Sequence, residues 1–227
     1  MLEVQALHGG YGRIPILHGV DLALETGEIL GVLGHNGAGK TTLLRTIAGF
    51  LPASRGRIAV NGRDLTKAPP FQRAQAGIGH VPQGRQIFPA LSVRENLEVA
   101  ARRSGKSVDE ILTLFPRIAR LLDRPGGALS GGEQQLLALA RCLCTEPSVM
   151  LLDEPTEGIQ PSIIDEIIET LKIVISQQKI AILLVEQNLE CLAELSKRLL
   201  VLSRGMIVES LEGSAVRDGN RLADLMM

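Results

Sequence analysis

The segment GVLGHNGAGKTTLLRTIAG, residues 31–49, constrains the fold of this chain more than any other. It places the pattern Gly-x-x-x-x-Gly-Lys-Thr, from Gly34 to Thr41, directly after an apolar run and directly before a helical pattern. A glycine-rich turn between a buried strand and a helix directs several backbone N–H groups at one point, where they can bind phosphate. The segment therefore predicts an α/β core with a phosphate loop at the end of one strand.

The residue types of this loop each have a chemical task. Lys40 supplies a positive charge for the β- and γ-phosphates of a nucleotide, and the Thr41 hydroxyl is a ligand for Mg²⁺. A glycine-rich turn that binds nothing is the alternative, which the strand and helix context disfavours. The predicted phosphate-loop residues are Gly34, His35, Asn36, Gly37, Ala38, Gly39, Lys40, Thr41 and Thr42.

The segment VMLLDEP, residues 149–155, predicts the acidic half of the same site. Its apolar residues indicate a buried strand that brings Asp153 and Glu154 to the sheet edge where ligands of open α/β folds bind. We expect Asp153 to hold Mg²⁺ through water and Glu154 to polarise the attacking water as the main base. An ordinary turn before Pro155 is the alternative, and the phosphate loop makes the catalytic interpretation the better one.

The rest of the chain alternates short apolar runs with helical patterns, which is typical of a mainly parallel sheet covered by helices. The runs EILGVLG (28–34) and AILLVE (181–186) predict strands buried on both faces. By contrast, GRIAVNG (56–62) and RLLVLSRGMIVES (198–210) predict antiparallel strands. The fold class is therefore a P-loop NTPase core with a mainly parallel sheet, an antiparallel β subdomain and a helical insert.

A helical subdomain at about residues 85–145 is predicted inside a single domain that spans residues 1–227. In this region strand signals give way to three Ser-x-x-Glu capping boxes, each of which predicts the start of a helix. The boxes pair Ser92 with Glu95, Ser107 with Glu110 and Ser130 with Glu133.

Charge and composition exclude several classes of function. Lys and Arg number 24 against 25 Asp and Glu, and a net charge of -1 gives no electrostatic reason to expect a nucleic-acid partner. The three cysteines predict neither a disulfide framework nor a metal site and fit a reducing cytoplasm. No apolar run approaches the roughly 20 residues needed to cross a bilayer. Any membrane channel is therefore expected to come from other chains.

The segment LSGGEQQ, residues 129–135, raises the question of why two glycines open a helix. A glycine in a helix costs about 1 kcal/mol relative to alanine. A capping box explains Ser130 but not the glycines. Gly131 and Gly132 leave bare N–H groups at the positive end of the helix dipole, where a phosphate can approach without meeting a β-carbon. We expect this second anion site to serve a second copy related by a two-fold axis.

The phosphate loop, VPQ (81–83), LSGGEQQ and VMLLDEP follow one another in this order along the chain. Together they resemble the nucleotide-binding subunit of ATP-binding-cassette (ABC) transporters, and the resemblance covers nearly the whole chain. The resemblance implies an ATPase in which two cassettes, identical or different, sandwich two ATP molecules head to tail. It implies that Ser130 and Gly132 contact the γ-phosphate bound by the other subunit. It also implies that Gln83 contacts Mg²⁺ and the water, and that Tyr11 stacks on adenine.

The chain departs from the family pattern at two positions. Both departures resemble those of one subgroup, the uptake systems for branched-chain amino acids and for urea or short-chain amides. Gln187 stands where many members have a histidine that contacts the γ-phosphate, and Gln160 where many have an aspartate. Segments 81–97 and 153–167 are more similar to the urea branch. An amide donates hydrogen bonds but cannot take up a proton near neutral pH, so we expect slower hydrolysis than with histidine.

The resemblance also implies partners and a location. The expected partners are integral membrane permease subunits, a second ABC ATPase subunit and, indirectly, a periplasmic or extracellular solute-binding protein. The expected location is the cytoplasmic face of the inner membrane, with Phe88 and Leu91 near a groove for a short helix of the permease. The alternative is an ABC-type ATPase switch of DNA repair or translation, which would need an insertion or second cassette that 227 residues cannot hold. A switch without hydrolysis is disfavoured because Glu154 is present.

Overall fold

The computed structural model describes residues 1–217, which form two sheets and a set of covering helices. The strands are β1 Leu2–Tyr11, β2 Ile14–Leu24, β3 Ile29–Leu33, β4 Ala53–Val60, β5 Arg63–Asp64, β6 Ile78–Val81, β7 Val149–Asp153, β8 Ala181–Glu186, β9 Arg198–Ser203 and β10 Met206–Glu212. The α-helices are α1 Lys40–Ala48, α2 Pro70–Gln75, α3 Val93–Ala101, α4 Val108–Leu112, α5 Pro116–Ala119, α6 Gly131–Cys144, α7 Pro161–Gln178 and α8 Leu189–Leu195.

The larger sheet has six strands in the order β10-β9-β3-β8-β7-β6. Pairing is parallel from β9 to β6, and β10 joins β9 as an antiparallel edge strand. The smaller sheet is antiparallel, in the order β2-β1-β4-β5. The predicted fold class is confirmed. Strands β1 and β2 were not predicted, because register shifts interrupt their alternation of buried and exposed residues.

Both faces of the six-stranded sheet are buried, each against its own hydrophobic core. Along β3, Leu30 and Val32 contribute to the core shared with α1 and the antiparallel sheet, whereas Ile29 and Leu33 contribute to the core shared with α3–α8. Successive side chains of a strand point to opposite faces, so a strand covered on both sides must be apolar throughout. This is why the continuous apolar runs identify the central strands.

Helices α3, α4 and α6 begin at the three predicted positions and α5 was not predicted, but only two of the three capping boxes form. Ser92 with Glu95 and Ser130 with Glu133 make both reciprocal hydrogen bonds. Ser107 precedes α4 without a side-chain cap, so that prediction is wrong. The Glu110 carboxylate lies 3.2 Å from Lys106 Nζ, and this ion pair replaces the bond back to residue 107. The subdomain boundaries near 85 and 145 stay a prediction.

The three cysteines lie in α6 and α8. Cys142, Cys144 and Cys191 are buried free thiols. Within the residues that the structure describes, no helix combines the length and apolar character required to span a bilayer.

Candidate functional site

The phosphate loop follows β3, which lies between β8 and β9 in the middle of the sheet. A β-carbon on Gly34 would overlap the carbonyl group of Leu202 on β9, so the loop can leave the sheet here only through glycine. Gly39 then takes φ 106° at the N-cap of α1, a left-handed conformation that favours glycine. The loop therefore ends with its N–H groups at the positive end of a helix.

A cleft of about 330 Å³ lies over this loop and is called here the phosphate cleft. The lining residues are Ile16, Asn36, Gly37, Gly39, Lys40, Thr41, Thr42, Gln83 and Glu154. The structure thus brings together residues from the phosphate loop, from the segment after β6 and from the segment after β7. These are segments that the sequence analysis assigned to one site.

Lys40 is the buried cation of the phosphate cleft and is only 5% exposed. Its Nζ donates to the carbonyl oxygens of Gly34 at 2.7 Å and His35 at 3.1 Å. It also lies 3.2 Å from Glu154 Oε1. The ammonium group therefore faces two carbonyl oxygens of the loop and one carboxylate oxygen, which is the coordination that phosphate oxygens can take over.

Thr41 and Asp153 form a pair with the chemistry of a Mg²⁺ site. Thr41 Oγ1 donates to Asp153 Oδ1 at 3.1 Å, while Asp153 Oδ2 is buried and has no hydrogen-bond partner. Burial raises the pKa of Asp153 to about 6, against the effect of the Thr41 bond, so the carboxyl group is ionised at neutral pH. Hydroxyl and carboxylate oxygens suit Mg²⁺, which keeps waters and phosphate oxygens as further ligands. The residues fit the ion.

Glu154 lies at the mouth of the cleft, where three side chains meet it. Besides the ion pair with Lys40, its Oε1 accepts from Gln187 Nε2 at 2.7 Å and its Oε2 from Gln83 Nε2 at 3.4 Å. Gln187 Nε2 also donates to Asn36 Oδ1 at 2.9 Å, which links it to the phosphate loop. The Gln83 amide makes a shorter bond, 2.6 Å, to Glu157. This arrangement holds the Glu154 carboxylate in a position that suits a general base.

The family model described as ABC transporter matches residues 17–157, more than half of the chain. The chain belongs to the ABC transporter family. It is 37% identical to the high-affinity branched-chain amino acid transport ATP-binding protein BraG of Pseudomonas aeruginosa, over 99% of this chain and 98% of that protein. It is 36% identical to the probable branched-chain amino acid transport ATP-binding protein LivF of Archaeoglobus fulgidus, over 91% and 90%.

Solved structures of ABC cassettes share the whole fold. The ADP conformation of MJ1267, an ATP-binding cassette of an ABC transporter, has a TM-score of 0.87 at 25% identity, over 99% of this chain and 97% of that one. The structure of cbiO1 from Clostridium perfringens, part of the ABC transporter complex cbiONQ, has a TM-score of 0.85 at 27% identity, over 98% and 92%. This cassette is therefore an ATP-binding subunit and an ATPase.

Seven predicted nucleotide contacts do not line the phosphate cleft of the cassette. Gly34, His35 and Ala38 belong to the phosphate loop itself, whereas Tyr11, Ser130, Gly131 and Gly132 lie outside that loop. The Tyr11 ring is 42% exposed, and the Arg45 guanidinium carbon lies 5.9 Å from its centre. Ser130 is exposed at the start of α6. The adenine and second-subunit contacts therefore stay predictions.

The two glycines of α6 have packing reasons that the sequence analysis missed. A β-carbon on Gly132 would overlap the Ile163 side chain at the start of α7. A β-carbon on Gly131 would lie 2.9 Å from Arg85 Nη2, the far end of a flexible side chain. Close packing inside one chain thus contributes to the need for Gly132, and Gly131 is the better position at which to test a phosphate contact.

Gln160 is the residue before α7 and has no side-chain capping bond. Its carbonyl oxygen accepts from the N–H groups of Ile163 and Ile164 at 2.9 and 3.1 Å, so the main chain starts the helix. The exposed side chain is free to reach another molecule, and its contact across two cassettes stays a prediction.

Glu186 is a buried carboxylate beside the site that the sequence analysis did not select. It ends β8, is 2% exposed and accepts four hydrogen bonds from the loops after β7 and β8. The signal in the sequence is the acidic residue that directly continues the apolar run AILLV. A buried carboxylate must be paired or fully hydrogen-bonded, which makes such a residue a candidate for a positioning role.

Proposed function

We propose that this cassette hydrolyses ATP with Glu154 as the base and that hydrolysis energises the import of a small solute through separate membrane subunits. The observation that carries the proposal is the placement of Glu154 between Lys40 and Gln187 at the mouth of the phosphate cleft. Phosphoryl transfer depends on positioning and on charge stabilisation, and both are supplied by these groups.

The proposed chemistry begins when phosphate oxygens of ATP take over the Lys40 contacts with Gly34 and His35. Release of Lys40 from Glu154 leaves that carboxylate free to orient a water molecule, while Gln187 donates a hydrogen bond to the carboxylate. Thr41 would hold Mg²⁺ directly and Asp153 through water, with Gln83 beside them. The bound ion supplies positive charge against the β- and γ-phosphates.

We propose that Ser130, Gly131 and Gly132 complete the nucleotide site of a second cassette, and that Tyr11 stacks on the adenine of its own nucleotide. Support comes from the exposure of Ser130 and from the start of α6 at Gly131, which leaves N–H groups unpaired within the helix. The N-terminus of a 14-residue helix attracts phosphate. Closure on ATP and opening after hydrolysis would then transmit force to the membrane subunits.

A groove of about 570 Å³ is the proposed seat of the membrane subunit on the cytoplasmic face of the inner membrane. It lies between β6 and helices α3 and α6, and Arg85, Arg103 and Arg141 line it. Arg141 Nε is buried in it without a hydrogen-bond partner, and the same holds for His80 Nε2. These groups favour a short helix that carries a carboxylate. Phe88, 42% exposed beneath Arg141, offers the apolar contact.

The proposed solute is a branched-chain amino acid, or urea or a short-chain amide. The names of the relatives BraG and LivF support the first class. The similarity of segments 81–97 and 153–167 to the urea branch supports the second. A thermal-shift assay of the solute-binding protein that co-purifies with the complex, with leucine, urea and acetamide, distinguishes the classes.

The test of the proposed base compares two matched substitutions in the full chain bound to its membrane subunits. Glu154→Gln removes the carboxylate, and we expect single-turnover hydrolysis to fall by about 100-fold or more while ATP still binds. Glu157→Gln makes the same chemical change at a carboxylate that also accepts from Gln83, and we expect it to retain turnover. Equal turnover in the Glu154 variant and the unmodified chain would show that another group is the base.

A further inference from the structure

We propose that Glu186 is a positioning residue that holds Gln187 and the loop of Glu154 together for hydrolysis. This inference rests on the proposed function of Glu154 and Gln187. Glu186 itself does not contact the nucleotide in this proposal. Its effect is transmitted through the main chain of the two loops that follow β7 and β8.

The carboxylate of Glu186 joins these two loops with its two oxygen atoms. Its Oε1 accepts from Thr156 N at 2.8 Å and from Thr156 Oγ1 at 2.7 Å, in the loop after β7. Its Oε2 accepts from Gln187 N at 2.9 Å and from Asn188 N at 3.2 Å, in the loop after β8. Each oxygen therefore binds one loop, and the side chain is the link between them.

These bonds begin where the sheet ladder ends. The pairing of β7 with β8 reaches Asp153 and Val185, and Glu154 N adds one more bond to Val185 O at 2.9 Å. Beyond that point the main chains of the two loops separate. The Glu186 carboxylate accepts hydrogen bonds from the N–H groups that no longer have a backbone partner. Main-chain donors buried without an acceptor are costly, so the carboxylate fixes both loops.

The link determines where Glu154 and Gln187 can meet. Glu154 has φ 48°, a left-handed conformation that is uncommon for residues other than glycine and is retained where the surrounding structure fixes it. Val185 binds its N–H group on one side, and Thr156 is bound to Glu186 on the other. Gln187 lies between Glu186 and Asn188, whose side chain caps α8 by accepting from Cys191 N at 3.0 Å. The segment that contains Glu154 and the segment that contains Gln187 are therefore each fixed on both sides.

A glutamine at position 186 cannot replace the carboxylate. Its amide has one accepting oxygen and one NH₂ group, and that NH₂ group would face N–H donors where Glu186 has an acceptor. At least one of the four hydrogen bonds would be lost in either orientation while the side chain keeps its size, because an NH₂ group turned towards Thr156 can donate to its hydroxyl but leaves Thr156 N without an acceptor. Glu186→Gln therefore removes the link with the least change in packing, and Thr156→Val removes a single hydroxyl donor from it.

The experiment measures ATP hydrolysis and nucleotide affinity of the full chain in its membrane complex. We expect Glu186→Gln to lower kcat by about 10-fold or more, with KM for ATP within about 3-fold, because binding depends on the phosphate loop. Thr156→Val is expected to lower kcat by about 3-fold. The control is Thr170→Val, which deletes a buried hydroxyl that donates to Glu166 O at 2.8 Å, outside the site. It is expected to lower the Tm and leave kcat unchanged.

A double-mutant cycle separates positioning from general loss of stability. If Glu186 acts through Gln187, Glu186→Gln lowers kcat of a Gln187→Ala chain by no more than about 2-fold. Multiplied effects, or a fall in kcat of the same size in the Thr170→Val control at a similar loss of Tm, would overturn the inference. If Glu186→Gln does not fold, Thr156→Val in the same cycle decides the question. The Glu154→Gln result is independent, so failure here leaves the proposed base in place.

Discussion

Gln187 contacts both the proposed base and the phosphate loop. Its amide uses both hydrogens of Nε2, one on Glu154 Oε1 at 2.7 Å and one on Asn36 Oδ1 at 2.9 Å. A hydrogen bond to a charged group contributes about 1.5–3 kcal/mol. If Gln187→Ala loses this amount in the transition state, kcat falls by about 10- to 150-fold.

KM for ATP is expected to change little in this variant because the phosphate loop and Lys40 supply the binding contacts. The assay is steady-state phosphate release by the complex, with Gln177→Ala, an exposed glutamine near the end of α7, as the matched control. Gln187→His is expected to hydrolyse faster than the unmodified chain in a single turnover, since imidazole can also accept a proton. Unchanged kcat in the alanine variant, or a loss confined to KM, would refute the reasoning.

Three further predictions concern stability and docking. Arg73 is buried and donates to four main-chain carbonyl oxygens, two at the end of α1 and two in the segment before α2, so Arg73→Met is expected to lower the free energy of unfolding by about 2–5 kcal/mol in urea titrations. Burial, with the Arg45 charge, lowers the pKa of His80 to about 4. In this pH range the unfolded chain therefore binds a proton at His80 that the folded chain does not bind. The free energy of unfolding falls as the pH drops from about 6.5 towards 4. The loss between pH 7 and 5 is about 2 kcal/mol larger than in His80→Gln. Arg103→Glu is expected to weaken co-purification with the membrane subunits, and Arg102→Glu, outside the groove lining, to retain it.

The central strands and the two halves of the phosphate site could be predicted because their signals are local. The runs at 149–153 and 181–186 are strands with those bounds. Continuous apolar character is required of any strand covered on both faces. The phosphate loop likewise needs glycines at fixed positions, whatever the rest of the chain does.

The missed features depend on contacts between residues distant in the sequence. The Ser107 box failed because Lys106 competes for Glu110. The packing of Gly132 against Ile163 and the bonds of Glu186 to Thr156 join segments about 30 residues apart, which no local pattern displays. The strands β1 and β2 were missed because bulges break their alternation. Tertiary packing decides each of these cases.

The central claim is that a nucleotide held by one cassette is completed by the Ser130 segment of another. A photo-reactive residue introduced at Ser130 of a Glu154→Gln chain, within the intact complex, tests it, with the same probe at exposed Glu98 on α3 as the control. The account predicts an ATP-dependent adduct between position 130 and the phosphate loop of a second cassette, identified by mass spectrometry. An adduct confined to the same chain, or one that forms equally without nucleotide, would contradict it.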